Sequence, residues 1–230
     1  MKATQINTLL PLRNADFGTI TEALEYAAEG TSGFNFYDGR GDLSAVLSYR
    51  TLRDEAQTLA RRLLSLGCKR GSRVAVIAET EPMFHRFFFA CHYAGYVPVA
   101  LPAGFQLGAR QAYVEQLERM LDSCGADIAV APEAYIGFLR QAVERLDVLK
   151  AGTPEEFDCL PELDVALEPL GPDETAYLQY TSGSTRFPRG VEISQRTVLS
   201  NLRDIAVFLS ITHQDRMVAW LPLYHDMGLI

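Results

Sequence analysis

From residue 50 to residue 131 the sequence alternates between two hydrophobic patterns. One is helical, as in residues 51–67, where apolar residues recur at three- and four-residue spacing and a glycine follows. The other is a short continuous apolar run, as in RVAVIA and ADIAVAP, which is typical of strands covered on both faces in parallel sheets. The alternation therefore predicts an α/β fold with layered strands and helices, mostly parallel sheets, and ligands outside the carboxyl ends of the strands.

Turn and cap residues place the first elements. Thr19, with Glu22 three residues later, has the pattern of a helix N-cap, and Gly30 follows the helix. FNFYD and AVLSY flank the turn-forming GRGD and indicate a β-hairpin. Further helices are predicted at about 83–94 and 109–125, and strands at 97–101, 174–180 and 190–194.

The composition changes between residues 150 and 173, where prolines and acidic residues are frequent. This predicts an irregular connection at 151–173. Residues 1–150 would then form a first α/β subdomain, and residues 174–230 would begin a second one.

Charge and cysteine usage exclude several classes of function. The formal net charge is −8, and Lys and Arg are not clustered, which argues against a nucleic-acid partner. The cysteines at 68, 91, 124 and 159 are far apart with no CxxC pair, which favours buried, reduced thiols and suggests no metal site.

Neither a leader nor a membrane span is predicted. The first residues lack the basic and apolar regions of a secretory signal, so we expect a cytoplasmic protein. Residues 87–105 carry no charge over a length that could cross a bilayer. Gly95, Pro98 and Pro102 interrupt this run, which favours a buried helix, a stop and a short strand.

The stretch TSGSTRFPRG, residues 181–190, lies between two predicted strands and has the chemistry of an anion site. Gly183 and Gly190 are seven positions apart with no lysine between them, so the spacing is not that of a Walker loop, which also leads into a helix. Hydroxyls, glycines and arginines nevertheless suit polyphosphate oxygens. A solvated hairpin turn is the alternative. The phosphate-binding candidates are Thr181, Ser182, Gly183, Ser184, Thr185, Arg189 and Gly190.

With the residues around it, YTSGSTRFPRGVEIS resembles the phosphate-binding loop of the adenylate-forming superfamily, whose members activate acyl groups and bind AMP. Arg186 stands where that loop usually has glycine, and Arg189 where it usually has lysine. The form TSGSTR is similar to the fatty acyl-AMP ligase branch. Arg189 keeps the positive charge but not the amine.

A second motif, AWLPLYHDMGLI at residues 219–230, resembles the next motif of the superfamily, an apolar strand, here 219–222, that ends in proline and is followed by an aromatic–histidine pair. The form LPLYHDMGL is again similar to the fatty acyl-AMP ligase branch. The resemblance implies that the catalytic His225 lies near the substrate carboxylate and the α-phosphate. It also implies that Tyr224 lines the acyl entrance and that Asp226 orients His225. For a lone His-Asp pair, a structural hydrogen bond is the alternative.

The resemblance implies the N-terminal part of the adenylate-forming enzyme fold and an ATP- and Mg²⁺-dependent conversion of a fatty acid to acyl-AMP. The acyl group would pass to a carrier-protein thiol or to CoA. The superfamily continues beyond the second motif, so residues 1–230 are interpreted as an incomplete AMP-binding domain with little activity by itself. An acyl-CoA ligase, an amino-acid adenylation domain and a non-catalytic nucleotide-binding module remain as alternatives.

Overall fold

A computed structural model describes residues 10–104, 110–181 and 188–229, without the side chain of Asp226. Strands and helices alternate along most of the described chain. The strands are β1 (Gly33–Tyr37), β2 (Leu43–Ser48), β3 (Arg73–Ile77), β4 (Val97–Leu101), β5 (Ala126–Val130), β6 (Lys150–Gly152), β7 (Thr175–Thr181) and β8 (Arg189–Ser194). The helices are α1 (Ile20–Ala28), α2 (Tyr49–Leu64), α3 (Pro82–Ala94), α4 (Arg110–Cys124), α5 (Glu133–Val143), α6 (Pro154–Asp158), α7 (Gln195–Phe208) and α8 (Asp226–Leu229).

A six-stranded sheet with the order β6-β5-β3-β4-β7-β8 forms the centre of the structure. Strands β6, β5, β3, β4 and β7 run parallel, and β8 pairs antiparallel with β7 at the edge. The predicted α/β fold with a mostly parallel sheet is confirmed. Because the parallel strands share one direction, the segments that follow them meet at the same edge, where α/β proteins bind their ligands.

Both faces of the sheet are covered, which explains the continuous apolar runs. Val74 and Val76 of β3 belong to a core shared with α2 and α3. Their neighbours Ala75 and Ile77 belong to the opposite core, shared with α4 and α5. Successive strand residues point to opposite faces, so a strand buried on both sides must be apolar at every position.

The N-terminal elements form as predicted, with one difference in the cap. The Thr19 side chain accepts a hydrogen bond from the Glu22 backbone N. The Glu22 carboxylate, however, accepts from Gly18 N at 2.7 Å rather than from Thr19 N. The antiparallel β1–β2 hairpin pairs Gly33 with Ser48 and confirms the prediction from FNFYD and AVLSY.

The segment predicted as irregular from residue 151 begins with regular structure. Strand β6 and helix α6 precede the irregular stretch 159–172, and α5 was not predicted either. The start of α6 is a capping box, in which Thr153 Oγ1 accepts from Glu156 N at 3.4 Å and Glu156 Oε2 accepts from Thr153 N at 3.0 Å. Pro154 at the first helical position completes this signal, which was overlooked in the sequence. The division into subdomains stays a prediction.

The irregular stretch is attached to the body of the fold by Arg70. Its guanidinium donates to Glu168 O at 2.7 Å, to Pro169 O at 2.9 Å and to the Glu174 carboxylate at 2.8 and 2.5 Å. The hydrogen bond from Arg70 is the main reason that the pKa of Glu174 lies below its usual value. Since Glu174 directly precedes β7, this contact places the start of the strand that leads to residues 181–190.

A second ionic cluster connects α6 to α2 and α3. Asp158 lies 3.0 Å from both Arg62 Nη1 and Arg86 Nη2, and Arg86 Nε lies 2.9 Å from Glu55 Oε2. We expect Asp158→Ala to lower the free energy of unfolding by about 1 kcal/mol, because two arginines lose a partner at a partly exposed site. Urea denaturation measures the change.

Asp173→Ala is the matched control for that prediction. Asp173 pairs with Arg196 at 2.6 Å, but both side chains are mostly exposed, at 81% and 69%. Such exposed pairs contribute little, so this variant should unfold like the parent. An equal loss of unfolding free energy in both variants would show that the ion pairs of Asp158 stabilise the protein no more than an exposed pair does.

The cysteine prediction is correct for two residues and wrong for one. All four thiols are free; Cys91 and Cys124 are buried, Cys68 is half-buried, and Cys159 is exposed. Cys159 is the C-cap of the short helix α6, where the chain turns toward the irregular stretch. Burial raises the pKa of Cys91 and Cys124 and so favours the neutral thiol.

The uncharged run that starts at residue 87 divides between α3 and β4, as predicted, with Gly95 as the C-cap of the helix. Within the described ranges, no helix combines the length and the apolar character that crossing a membrane requires.

Candidate functional site

Strands β7 and β8 form an antiparallel pair, with Tyr180 opposite Gly190 and Thr181 opposite Arg189. This pair is called the hairpin here, and its ends at Thr181 and Arg189 are called the tip. A strand on each side of residues 182–187 excludes a Walker loop, which leads into a helix. The backbone and side chains of residues 182–187 lie outside the described residues. This range contains Ser182, Gly183, Ser184, Thr185 and Arg186.

Contacts to α4 hold the base of this hairpin. The Tyr180 hydroxyl donates to Met120 O at 2.5 Å and lies 2.5 Å from Ser123 Oγ. Burial raises the pKa of Tyr180, so its phenol stays protonated and available as a donor. Arg73 at the start of β3 donates to Glu192 Oε1 on β8 at 2.7 Å. Contacts to α4 and β3 therefore hold Tyr180 and Glu192 of the hairpin, while Thr181 and Arg189 are exposed at its tip.

Arg189 and Gly190 also line a cavity of about 740 Å³ between the hairpin and α4. Tyr180 and the Arg73–Glu192 ion pair form part of its wall. Its lining mixes both charges, with Arg73 and Arg189 positive and Asp122 and Glu192 negative.

The second motif forms a turn followed by a short helix. His225 N donates to Pro222 O at 3.0 Å, and Gly228 N donates to His225 O at 3.0 Å. The Met227 backbone N donates to His225 Nδ1 at 3.3 Å, so a neutral His225 carries its proton on Nε2. Gly228 is required here because a Cβ would lie 2.2 Å from Pro222 O.

The apolar strand expected before this turn is absent. Residues 216–220 have no regular secondary structure, and Met217, Val218 and Trp220 are 79%, 78% and 86% exposed. A strand requires a neighbouring strand for its hydrogen bonds, and the part of the chain that the structure describes offers none at this place. The prediction of a strand at 219–222 was therefore wrong for this structure.

Gln179 connects the two motifs. Its side chain is 6% exposed, and its Nε2 donates to Tyr224 O at 3.2 Å. The turn that carries Tyr224 and His225 is thereby attached to β7 just before the hairpin tip. Gln179 was missed from the sequence, although a polar residue inside the apolar run AYLQY was a signal for it.

Tyr224 lies in a cleft of about 320 Å³ at the carboxyl edge of the sheet. The cleft is where the topology predicts a ligand, between the ends of β3 and β4 and the second motif. Burial first, then the charge of Glu79, raises the pKa of Glu81 on this rim. Ala78, Glu79, Thr80, Glu81, Ala103, Tyr135, Pro222 and Tyr224 line it.

The structure brings the predicted residues together in part. Thr181 pairs with Arg189, and Tyr224 is attached to the same strand through Gln179. Tyr224 and Arg189 line different cavities. The orienting role assigned to Asp226 falls on a side chain outside the described residues. The roles of all these residues remain predictions.

The described residues fit a phosphate better than a metal cage. Thr181 offers a hydroxyl and Arg189 a guanidinium at the exposed tip. Within residues 10–104, 110–181 and 188–229, no three His, Cys, Asp or Glu side chains are grouped so that they could hold a metal ion. Mg²⁺ in nucleotide sites is commonly held by one or two carboxylates and the phosphates themselves, so it requires no such cage.

Comparison with known proteins shows the family of the chain. Residues 24–230 match the family described as AMP-binding enzyme. An acyl-CoA synthetase of Caulobacter vibrioides is 43% identical over 95% of this chain, and the match spans 38% of that protein. A long-chain-fatty-acid–AMP ligase of Mycolicibacterium smegmatis is 37% identical over 70% of this chain and 25% of its own length.

Solved structures show the same likeness. A structure from work on fatty acyl-adenylate ligases of E. coli and L. pneumophila superposes with a TM-score of 0.91 and 45% identity, over 95% of this chain and 40% of that one. The o-succinylbenzoate CoA synthetase of Bacillus subtilis with ATP and magnesium, at 20% identity and a TM-score of 0.73, covers 90% of this chain and 52% of its own, and shares the fold. The chain therefore spans about two fifths of the length of the Caulobacter vibrioides relative, and the same share of the fatty acyl-adenylate ligase structure.

Proposed function

Because the chain belongs to the AMP-binding enzyme family, we propose that it is the N-terminal part of a ligase that activates a fatty acid as acyl-AMP. The observation that carries the proposal is the β7–β8 hairpin, which presents Thr181 and Arg189 and is connected through Gln179 to the turn with His225. Relatives named as a fatty-acid–AMP ligase and as an acyl-CoA synthetase support a carboxylate substrate with an aliphatic chain.

The chemistry joins two anions. The fatty-acid carboxylate attacks the α-phosphorus of ATP, the bond to the β-phosphate oxygen breaks, and pyrophosphate leaves with its electron pair. Mg²⁺ would neutralise part of the phosphate charge. The protein must hold the reactants in line and supply donors to the phosphate oxygens.

The residues divide between these two tasks. Arg189, with the hydroxyls of Thr181, Ser182, Ser184 and Thr185, binds the phosphates, and Gly183 and Gly190 allow the backbone to approach. The Nε2–H of His225 donates to the carboxylate or an α-phosphate oxygen. Tyr224 borders the acyl entrance, and Asp226 orients His225.

The acceptor of the acyl group is proposed to be a carrier-protein thiol. The form TSGSTR supports this assignment, since it resembles the fatty acyl-AMP ligase branch. CoA is the alternative acceptor, supported by the 43% identical relative named as an acyl-CoA synthetase. We assign residues 1–150 to a first subdomain, 151–173 to a connection and 174–230 to the start of a second. The 230 residues alone are expected to show little turnover.

Product analysis tests the proposal. The full-length gene product is incubated with ATP, Mg²⁺ and a medium-chain fatty acid, with and without CoA, and products are identified by mass spectrometry. Acyl-AMP that persists in the presence of CoA supports a fatty acyl-AMP ligase. Conversion to acyl-CoA assigns the protein to the synthetases. Absence of both products with every carboxylate tried contradicts the proposed activity.

Arg189 provides a second prediction. Arg189→Ala in the full-length protein should lower kcat/KM for ATP by about 10²-fold, because a charged donor to the phosphates is lost. Arg189→Lys should lose less than about tenfold, because the charge remains. Steady-state kinetics at varied ATP measures both.

The control for this pair is Arg40→Ala, since Arg40 is also an exposed arginine at a hairpin turn. It should leave kcat/KM for ATP unchanged. Equal kinetics for Arg189→Ala and the parent would remove Arg189 from the phosphate site.

A further inference from the structure

The side chain of Gln195 is a fully buried amide at the junction of β8 and α7. It is 0% exposed and begins α7 directly after Ser194, the last residue of β8. Its Oε1 accepts a hydrogen bond from Ile20 N at 3.0 Å, and its Nε2 lies 2.8 Å from His92 Nδ1. Its own backbone N donates to Glu174 O at 3.0 Å. One residue therefore connects α1, α3 and the segment before β7 with the end of β8.

The direction of these bonds follows from the donors. Ile20 N is a backbone donor at the first turn of α1, so the Gln195 atom facing it must be the oxygen. The amide nitrogen then faces His92 and must donate, which makes His92 Nδ1 the acceptor. A neutral His92 therefore carries its proton on Nε2. Burial lowers the pKa of His92 to about 3, which keeps the ring neutral.

The pair has both a cost and a gain in stability. His92 Nε2 is buried and has no hydrogen-bond partner among the described residues. The Phe88 ring lies 4.9 Å from the His92 ring between centroids. Two apolar side chains would remove the unpaired N–H of His92, but they would leave Ile20 N without its acceptor. The polar pair also adds direction, because a hydrogen bond requires a defined distance and angle between donor and acceptor.

Strand β8 has few other anchors. It is an edge strand, and its first four residues are exposed. The Arg73–Glu192 ion pair that holds it is itself 37% and 55% exposed, and such pairs contribute little. Ile193 packs against a core, but one such residue is a weak apolar pattern for setting the register against the neighbouring strand. A slip of one residue would move Arg189 by roughly 3.3 Å and turn its side chain to the other face. That displacement would take Arg189 away from its position opposite Thr181.

We propose that the hydrogen bond from Gln195 to His92, with the bond from Ile20 N, sets the register of β8 and so positions the phosphate-binding hairpin. Gln195 and His92 are positioning residues, since neither lies at the hairpin tip. The link to phosphate binding rests on the proposed function. The register itself does not depend on it.

The first test concerns the tautomer of His92. In full-length protein labelled with ¹⁵N-histidine, the His92 signals are assigned by their loss in His92→Leu. The parent should show the proton on Nε2. In Gln195→Met neither an amide donor nor an acceptor remains, so the His92 ring signals should shift from their parental values. A parent with its proton on Nδ1, or ring signals unchanged in Gln195→Met, would overturn the bond as described.

The second test concerns register and ATP. Gln195→Met keeps the size of the side chain and removes both hydrogen bonds. We expect amide hydrogen exchange in 189–194 to become about tenfold faster. In the full-length protein, kcat/KM for ATP should fall about ten- to a hundredfold, while KM for the fatty acid changes little.

Two controls separate positioning from stability. Gln141→Met makes the same chemical change at an exposed glutamine of α5 and should alter neither readout. Leu139→Ala opens a cavity in the other core and should lower the melting temperature without changing kcat/KM for ATP. Unchanged exchange in Gln195→Met would refute the proposal. If the parent forms no acyl-AMP, the proposed function is wrong. The hydrogen-exchange and tautomer results would still show whether Gln195 and His92 set the register of β8.

Discussion

Replacing His225 by alanine in the full-length protein is expected to slow acyl-AMP formation by about 10²- to 10³-fold. The side chain is exposed, and Met227 N donates to its Nδ1, so the Nε2–H is directed by the turn itself. Removing this donor leaves charge on the reacting oxygens without a partner in the transition state. Single-turnover formation of acyl-AMP, followed by rapid quench, measures the effect on the chemical step.

The stability of the protein should not change in this variant, because an exposed side chain contributes little to the free energy of unfolding. His213→Ala is the matched control, since His213 is also exposed and lies in a polar turn. It should react at the parental rate. Parental single-turnover rates for His225→Ala would show that His225 is a structural residue of the turn, which was the alternative interpretation.

Gly95→Val is expected to give the largest loss of stability, about 3 kcal/mol or more. Gly95 has φ +74°, a region that β-branched residues avoid. An added Cβ would lie 2.7 Å from Arg70 Nη1 and 3.3 Å from Glu168 O. The substitution therefore strains the end of α3 and displaces the arginine that holds the stretch before β7. Urea denaturation of the 230-residue chain measures the loss.

Gly137→Ala serves as the control for this substitution. Gly137 lies inside α5, and a Cβ there would meet nothing within 4 Å. Alanine is the better helix former, so this variant should be as stable as the parent or more stable by up to about 1 kcal/mol. In an Arg70→Ala background the cost of Gly95→Val should shrink, because one contact of the added side chain is gone. An equal cost in both backgrounds would show that backbone strain alone accounts for the loss.

Local patterns were sufficient for most of the secondary structure. The run RVAVIA predicted β3 because a strand buried on both faces must be apolar throughout. Thr19 predicted the start of α1 because an N-cap is a short-range interaction. The capping box at Thr153 and Glu156 had the same clarity and was missed because the prolines within it and after it favoured an irregular interpretation. The strand predicted at 219–222 does not form, because a strand depends on a partner strand elsewhere in the chain and not only on its own residues.

The candidate site shows the same division. The sequence led to Thr181, Arg189, Tyr224 and His225 as candidates, because their residue types and spacing resemble motifs of one superfamily. It did not identify Gln179, whose side chain binds the backbone of residue 224, a contact across 45 positions of sequence.

By itself, the sequence determined the α/β class, the strands on each side of residues 182–187 and the superfamily, because each depends on residues that are close together in the chain. Only the tertiary structure decided the strand order, the cleft that holds Tyr224, and the buried contact of Gln195 with His92, which are 103 positions apart. Directional hydrogen bonds between distant residues leave no periodic pattern in a sequence. They exist only once packing has brought the two side chains together.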